Sequence, residues 1–396
     1  MNLYAQHGWG KGDKLRLGIQ QRHISGVILS PHDETPEALA AIAHEAAQSQ
    51  QAPDVMMDPQ VYVSLIQDAN VGRLPQYPYY HSGLSIRDFT TPRNVQLFVR
   101  EAIDFQRQLE VTHIISPTII QDGFTDRSSQ IALSLAQESV DYWDGIAGDR
   151  RPLLLSLVFS ENSLSSPHQV ADFLNTITLF EADGFYLVVD RNDAIYSQDF
   201  QSGRLTEFLK VIFSLARARF HIVCGYSDFV GLVYAAAGAH TCATGWSQRL
   251  RRFNSARFVP TGWGRPPRDR YSSSPLLNSI FMTELDACQD AGRLNAVLSN
   301  TAYDRPFDGR TYPSGVSWSP QTGALHHWAA ISSLAAELTA GTTRERVQKL
   351  SQRITQAQTI YLDLARRGVT FEPPNGPNHL TSWGNALAAF RAAFRI

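Results

Sequence analysis

Polar residues that could carry chemistry follow several short apolar runs of this 396-residue chain. Asp58 is the strongest candidate for a functional residue. It directly follows the run Asp54–Met57 and is followed by Pro59, which stiffens the turn. A carboxylate at such a position can act as a general base or anchor a polar substrate, with Gln60 as a neighbouring substrate contact. The structural alternative is that Asp58 caps the next helix by accepting backbone N–H bonds.

A second candidate carboxylate, Asp190, ends another apolar run and is followed directly by Arg191. We expect Asp190 to be a second catalytic residue and Arg191 a substrate contact, although an adjacent acid and base can also form a structural ion pair. Glu161 and Asn162 follow a third run and are expected to form a polar pair over the same cavity.

His32 and Asp33 could supply an acid–base pair, or Asp33 could cap the helix that begins near Thr35. The chain contains no HExxH or CxxC motif, and the tandem histidines His326 and His327 would point in different directions on a helix. No GxSxG, P-loop or GxGxxG motif is present either. We therefore expect no metal and no cofactor.

Two aromatic residues at strand ends, Tyr226 and Trp246, could stack on a flat ring such as a nucleobase or a sugar, or could simply plug a cavity. Trp246 is followed closely by Arg249, Arg251 and Arg252, in a loop where many barrels bind a phosphate group. These three arginines are the predicted phosphate-binding residues.

The charge of the chain is divided unevenly. Residues 1–240 contain 17 basic and 27 acidic residues, whereas residues 241–396 contain 18 and 10. Seven arginines and one acid, Asp269, lie between positions 249 and 270. Such a patch could bind the phosphates of RNA or DNA, or it could be solvated or paired within the chain.

The elements that must position these residues alternate between strand and helix. Near-continuous apolar runs indicate parallel strands that are buried on both faces. Seven such runs are present: Gly26–Ser30, Asp54–Met57, Val111–Ser116, Leu153–Phe159, Gly184–Asp190, Phe220–Cys224 and His240–Thr244. With helical segments between them, they predict an α/β fold, a TIM-like (β/α)8 barrel with a helical C-terminal extension.

An eighth strand is harder to place. The candidates are Arg257–Pro260 and Leu294–Ser299, of which we favour the second. The predicted organisation is a barrel over residues 1–300 with an insertion near 250–292, followed by a loop and a helical region over 301–396. Residues 1–14 lack the apolar segment of a secretory signal, and no apolar stretch is long enough to span a membrane. Three widely spaced cysteines fit a reducing compartment, so we expect a cytoplasmic protein.

The layout of residues 50–300 resembles that of the tRNA-guanine transglycosylases and their DNA-modifying relatives, which are barrels that exchange a guanine for a deazapurine. Three segments carry the resemblance: residues 58–62 (DPQVY), 225–238 and 275–300. Two features of the family are missing from this chain. The family's nucleophile is an Asp on the seventh strand, but His240–Gly245 contains no Asp. The family also has a Gly-Gly stretch after the fifth strand, where this chain has Asp190–Asp193. The zinc-binding cysteines are also absent. The resemblance therefore carries over Asp58 alone and does not imply ordinary base exchange.

Three functions remain open from the sequence. The first is an enzyme that handles a nucleobase, a nucleotide or a nucleic acid, with the residues named above. The second is a non-catalytic barrel that works as a subunit of a larger assembly, as a homo-oligomer or with another protein. The third is a small-molecule hydrolase that uses Glu161 or His32.

Overall fold

The computed structural model describes residues 1–191, 196–260 and 268–396. Its main sheet is a nearly closed parallel barrel with the strand order β3-β2-β1-β9-β8-β7-β6-β4, in which β5 also pairs with β6. The strands are β1 (Asn2–Gln6), β2 (Gly26–Leu29), β3 (Asp54–Met57), β4 (Ile114–Ile115), β5 (Ile120–Gln121), β6 (Leu153–Ser160), β7 (Gly184–Asp190), β8 (His221–Cys224) and β9 (Thr241–Thr244).

Thr112 joins the two ends of this sheet. Its backbone N–H donates to the carbonyl of Val55 over 2.8 Å, and its hydroxyl oxygen accepts from the Val55 N–H at 2.9 Å. Eight strand positions thus surround one axis, which confirms the predicted TIM-like barrel and all seven predicted strands.

The eighth strand is β1, at the start of the chain, and the two predicted candidates are wrong. Leu294–Val297 is a short helix, and Ser255–Phe258 is a 3-10 turn. A short apolar run fits a buried helix turn as well as a strand, so its periodicity could not decide between them. β1 was missed because Tyr4 and Gln6, its inward-facing residues, are polar.

The helices follow the strands in the alternation expected of this fold. They are α1 (Lys14–Gln20), α2 (Pro36–Ala47), α3 (Pro92–Arg107), α4 (Arg127–Asp144), α5 (Pro167–Ile177), α6 (Ser202–Arg217), α7 (Gly231–Ala237), α8 (Met282–Asp290), α9 (Leu294–Val297), α10 (Pro320–Leu338), α11 (Thr343–Arg366) and α12 (Asn378–Phe394). Thr35 caps α2 as its sequence predicted, because its hydroxyl accepts from the Ala38 N–H at 3.2 Å and Pro36 occupies the first helical position.

Residue alternation along the strands divides the core into two layers. Tyr4, Ile28, Met56, Tyr186 and Val223 belong to a cluster inside the barrel, whereas their sequence neighbours pack outward against the helices. Polar residues at the carboxyl ends of the strands therefore lie at one mouth of the barrel.

The C-terminal region completes the outer ring of helices. After β9 the chain forms an antiparallel hairpin, β10 (Arg270–Ser273) and β11 (Asn278–Phe281). Helix α10 then packs on α1, α7 and β1, so it fills the place of the eighth helix. The indole of Trp328 on α10 is fully buried and donates to the carbonyl of Thr244 on β9 over 2.9 Å.

In the part of the chain that the structure describes, no helix is both long and apolar enough to cross a membrane.

Candidate active site at the barrel mouth

Asp58 follows β3 and lies inside the mouth, with only 1% of its surface exposed. Its Oδ1 accepts from the Gln60 N–H at 3.1 Å, and its Oδ2 accepts from the Tyr62 hydroxyl at 2.8 Å. The Tyr186 hydroxyl is 3.5 Å from the same Oδ2. Burial raises the pKa of Asp58 to about 6, although these hydrogen bonds act in the opposite direction. The carboxyl thus stabilises its own turn and can also change protonation near neutral pH.

Gln60 occupies a left-handed backbone conformation with a φ of 54°. That turn directs its side chain back into the mouth, where Oε1 accepts from the Ser30 hydroxyl at 3.1 Å and from the His32 N–H at 3.0 Å. Its Nε2 is 3.5 Å from the hydroxyl oxygen of Tyr226. Gln60 therefore links the ends of β2, β3 and β8.

His32 and Asp33 do contact each other, with Nδ1 and Oδ1 3.1 Å apart. The other ring nitrogen of His32 is 2.8 Å from the carbonyl oxygen of Asn70. Burial raises the pKa of Asp33, but the hydrogen bond from His32 and the positive charge of Arg257 together hold it below its ordinary value. The side chains of His32 and Asp33 thus make their polar contacts within the protein.

Four aromatic side chains, Tyr62, Tyr226, Phe253 and Phe258, form a cluster that contacts Asp58 through Tyr62; we call them the aromatic cap. The Phe253 ring lies 5.5 Å from that of Tyr62 and 5.1 Å from that of Tyr226, between ring centroids. The guanidinium of Arg257 lies 5.3 Å from the Tyr226 centroid and 4.0 Å from Asp33. The mouth is therefore filled by side chains of the protein itself.

Asp190 and Glu161 lie at the ends of β7 and β6, on another side of the mouth. Asp190 accepts from the Ser255 N–H at 2.8 Å, and burial raises its pKa. Glu161 lies 3.8 Å from Arg191 and 3.4 Å from Arg204, so the carboxylate lies between two guanidinium groups. Asn162 is exposed and does not form the predicted pair with Glu161 over the cavity, because its 3-10 turn directs it to solvent.

A small pocket opens beside these residues, between the loops that follow β7, β8 and β9. Its cavity volume is about 10 Å³, room for about one water molecule. We call it the arginine pocket, and its polar lining consists of Arg191, Tyr196, Ser197, Gln198, Tyr226, Asp228, Tyr234, Arg251 and Arg252. Asn192 and Asp193, which the sequence also placed at this strand end, lie outside the described residues.

The lining of the arginine pocket is held by contacts within the protein. Arg251 donates to the carbonyl of Gly245 over 3.0 Å and to the hydroxyl of Ser279 over 3.3 Å. The Arg252 guanidinium lies 5.4 Å from the ring centroid of Tyr196, whose hydroxyl donates to Asp228. Burial raises the pKa of Asp228. The described lining contains three arginines and one carboxyl group, so its excess of positive charge suits an anion.

Trp246 lies away from this pocket. Its indole donates to the carbonyl of Trp9 over 2.9 Å, and its ring meets those of His7 and Trp328 edge-on. The structure thus brings Asp58, Gln60 and Tyr226 together and places Asp190, Glu161 and Arg191 beside them, whereas Trp246 packs against the N-terminal segment.

The arginines between positions 249 and 270 do not form one surface. Arg249 is exposed, whereas Arg251 and Arg252 line the arginine pocket. Arg268 pairs with Glu372 at 2.5 Å, and Arg270 donates to Asn375 over 2.7 Å. Arg257 lies in the mouth, and Arg265 lies outside the described residues. Much of the predicted patch is therefore paired within the chain.

Several residues of the site carried no strong signal in the sequence. Tyr186 is in mid-strand, Tyr196 is in a loop, and Gln6 belongs to the strand that was missed. Asp228 lies two residues after Tyr226 and is not among the residues that the sequence singled out. A two-residue periodicity applied to β1 and β7 would have placed Gln6 and Tyr186 inside the barrel.

Among the described residues, no group of three or more His, Cys, Asp and Glu side chains is placed to hold a metal ion.

The chain matches no protein-family model, and no curated protein matches its sequence significantly.

Proposed function

We propose that this protein is a TIM-barrel enzyme that binds a nucleobase or a nucleotide at the mouth of its barrel. One observation carries the proposal. Tyr226 belongs both to the network around Asp58 and to the lining of the arginine pocket. A proton-carrying carboxyl and a cationic pocket are thus separated by one aromatic side chain, an arrangement suited to a ligand with a flat ring and a phosphate.

Asp58 would serve as the proton carrier or as the anchor of the base. With a pKa of about 6 it is available in both protonation states near neutral pH. Its protonated form donates a hydrogen bond to a ring nitrogen or a carbonyl, and its ionised form accepts one from a ring N–H. Either interaction suits the polar edge of a nucleobase.

Tyr226 would offer the stacking face, and the arginine pocket would hold the phosphate once its side chains move apart, since its cavity of about 10 Å³ has room only for about one water molecule. Arg191, Arg251 and Arg252 present planar donors, which suit the bidentate recognition of phosphate oxygens. Asp190 and Glu161 would keep Arg191 and its neighbours in place. Trp246 and Asn162 have no part in this arrangement.

A ligand can reach Asp58 only if the aromatic cap moves. The segment that carries Phe253 and Phe258 is held by Arg257, which donates to the carbonyl of Arg249 over 3.1 Å and lies beside Asp33. We propose that the ligand displaces this segment and that Arg257 is its latch. Closure over the bound base would then exclude water from Asp58.

The resemblance in layout to the tRNA-guanine transglycosylases agrees with a nucleobase ligand. However, β9 carries Thr241, Cys242, Ala243 and Thr244 and therefore no carboxylate nucleophile. We propose base binding, or an exchange that does not pass through an aspartyl intermediate on this strand.

Calorimetric titration with the four nucleoside 5′-monophosphates tests the proposal. We expect Arg252→Ala to weaken binding at least tenfold, because it removes a charged hydrogen-bond donor from the pocket. Arg268→Ala is the matched control, since Arg268 pairs with Glu372 and does not line the pocket. Equal affinities of the two variants, or no binding by the wild type, would refute the nucleotide site.

We extend the proposal to RNA or DNA, bound at the same site. The exposed Arg249 near the rim of the mouth supports this extension. We expect binding of single-stranded RNA to weaken steeply with salt. An Arg249/Arg251/Arg252 triple alanine variant should lose most of that dependence. If the wild type does not bind RNA, or binds it independently of salt, nucleic-acid binding is contradicted. The calorimetric titration then decides whether the protein binds mononucleotides.

The filled mouth favours a second candidate function, a non-catalytic barrel that acts as a subunit of an assembly. Asp58 lies under the aromatic cap and is fully hydrogen-bonded, as a purely structural residue would be. Light scattering of the purified chain, alone and mixed with the products of neighbouring genes, separates the two candidates. A monomer that binds nucleotides supports the enzyme, and a stable complex without nucleotide binding supports the subunit.

A further inference from the structure

The amide of Gln6, at the end of β1, is buried and makes no hydrogen bond of normal geometry with the described residues. The residue is 0% exposed, and neither Oε1 nor Nε2 makes a hydrogen bond of normal geometry with any described residue. Leaving a buried amide unpaired is costly, so such groups are rare in folded proteins. Gln6 therefore requires a physical explanation.

The position of Gln6 connects it to the site described above. Leu3 and Ala5 face the helices and Tyr4 faces the barrel interior, so alternation along β1 directs Gln6 inward as well. The Gln6 side chain interacts with the Tyr186 hydroxyl, which also lies 3.5 Å from Asp58. Gln6 and Asp58 thus both interact with the Tyr186 hydroxyl.

Two glycines pack closely against Gln6 and Tyr186. A Cβ atom on Gly245 would lie 2.1 Å from Leu250 and 2.8 Å from the main-chain carbonyl oxygen of Gln6, and one on Gly225 would lie 2.5 Å from the Tyr186 hydroxyl. Only glycine at these positions allows the strand ends to approach each other this closely.

We propose that Gln6 is the specificity-determining residue that recognises the hydrogen-bonding edge of the ligand. This inference rests on the proposed function and names the chemical class of its ligand. An amide offers one donor and one acceptor side by side, which matches a ring edge that carries an acceptor next to an N–H or NH2 group. Adenine, guanine, cytosine and uracil all have such an edge, whereas purine attached to ribose through N9 carries only acceptors. The ligand supplies the two hydrogen bonds that the free protein lacks.

Three buried glutamines provide a test with internal controls. Gln106 is 0% exposed, and its amide makes three hydrogen bonds, to Ala102 O, Ile115 O and Ile115 N. Gln121 is 0% exposed, and its amide is unpaired like that of Gln6. Alternation along β5 places Gln121 on the helix side, because Ile120 faces the interior. Each of the three is changed to Met, which has a similar shape and no amide.

The unfolding midpoint of the ligand-free protein, measured at a fixed scan rate, is the first readout. We expect Gln6→Met and Gln121→Met to raise it by about 2–4 °C, because each removes an unpaired polar group. Gln106→Met should lower it, since the backbone groups of Ala102 and Ile115 lose their partners. A fall for Gln6→Met would mean that the amide is satisfied in the free protein, by buried water for example, and would overturn the inference.

Calorimetry with the nucleoside monophosphates and with purine ribonucleoside monophosphate is the second readout. We expect Gln6→Met to weaken binding of AMP, GMP or UMP at least tenfold. The weaker binding of purine ribonucleoside monophosphate should stay unchanged in this variant. Gln121→Met should bind all of these nucleotides as the wild type does. Unchanged binding in Gln6→Met, while the wild type binds, refutes the role of Gln6 alone. No binding by the wild type refutes the proposed function, and the inference fails with it.

Discussion

The hydroxyl of Tyr62 donates a 2.8 Å hydrogen bond to Oδ2 of Asp58, four residues before it in the chain. Both side chains are almost completely buried, and the Tyr62 ring belongs to the aromatic cap. The residue that covers the carboxyl is therefore also the one that most directly tunes it. Displacement of the cap would admit water to Asp58 and lower its pKa toward the ordinary value, because burial is the largest cause of the raised pKa.

Tyr62→Phe tests this coupling. The hydrogen bond from Tyr62 lowers the pKa of Asp58, so we expect the variant to raise that pKa by about 1–2 units above its value of about 6. Titration of ¹³C-labelled aspartate carboxyls by NMR measures the change. Tyr312→Phe, at an exposed tyrosine, is the control and should leave the Asp58 resonance unaffected. An Asp58 pKa that stays the same in Tyr62→Phe would show that the bond has no influence on protonation.

Asp58→Asn should stabilise the protein at neutral pH. The folded pKa of Asp58 is about 6, and its ordinary value is 3.8. The folded state therefore holds the proton more tightly, and stability falls as the pH rises from about 4 to about 6. A neutral amide avoids this loss, which we put at about 1–3 kcal/mol. Urea unfolding at pH 5 and pH 7 should show a gain that is larger at pH 7, and a stability loss at pH 7 would contradict the raised pKa. Asp141→Asn, at an exposed carboxylate, serves as the control.

Acidification should destabilise the opposite end of the barrel. There the rings of His113, His221 and His240 stack, with centroid distances of 6.1 and 4.9 Å. Burial lowers the pKa of all three histidines, despite Asp54 and Asp183 nearby, and His221 and His240 repel each other when charged. The unfolded chain thus binds more protons below about pH 6.5, so stability is lost as the pH falls through this range.

His221→Gln, at the middle of the stack, should reduce this loss. The measurement is the free energy of unfolding at pH 7 and pH 5 in the wild type and in the variant. His168→Gln is the matched control, because the His168 side chain is 88% exposed. If both variants keep the pH dependence of the wild type, the stack does not cause it.

Trp328→Ala should be strongly destabilising. The indole is fully buried, donates to the Thr244 carbonyl and packs where Gly18 leaves room for its ring. Its removal leaves a cavity and an unpaired carbonyl, at a cost of about 3–5 kcal/mol. Chemical denaturation measures the loss, and Trp9→Ala, at a residue that is 79% exposed, should cost much less. A small loss in Trp328→Ala would show that α10 does not hold the eighth strand in place.

The sequence by itself determined the fold class and most of the strands. Seven runs of buried apolar residues each gave a strand, because in a parallel barrel both faces of every strand are covered and the pattern is continuous. It also placed Asp58, Gln60 and Tyr226 at one mouth, since parallel strands all end on the same side. These inferences depend on local pattern and on one general property of the fold.

The tertiary structure decided the rest. β1 is a strand because it is buried by two neighbouring strands and by α10, which lies more than 300 residues later in the chain. The pattern of its own five residues cannot predict contacts with such distant segments. Some arginines between positions 249 and 270 line the pocket, some are paired, and Arg249 is exposed. The sequence could not show this, because partners such as Glu372 and Asn375 come from the C-terminal region. Gln6 became a candidate for the same reason, since whether a buried amide has a partner depends on side chains from β3 and β7 that only the closed barrel brings beside it.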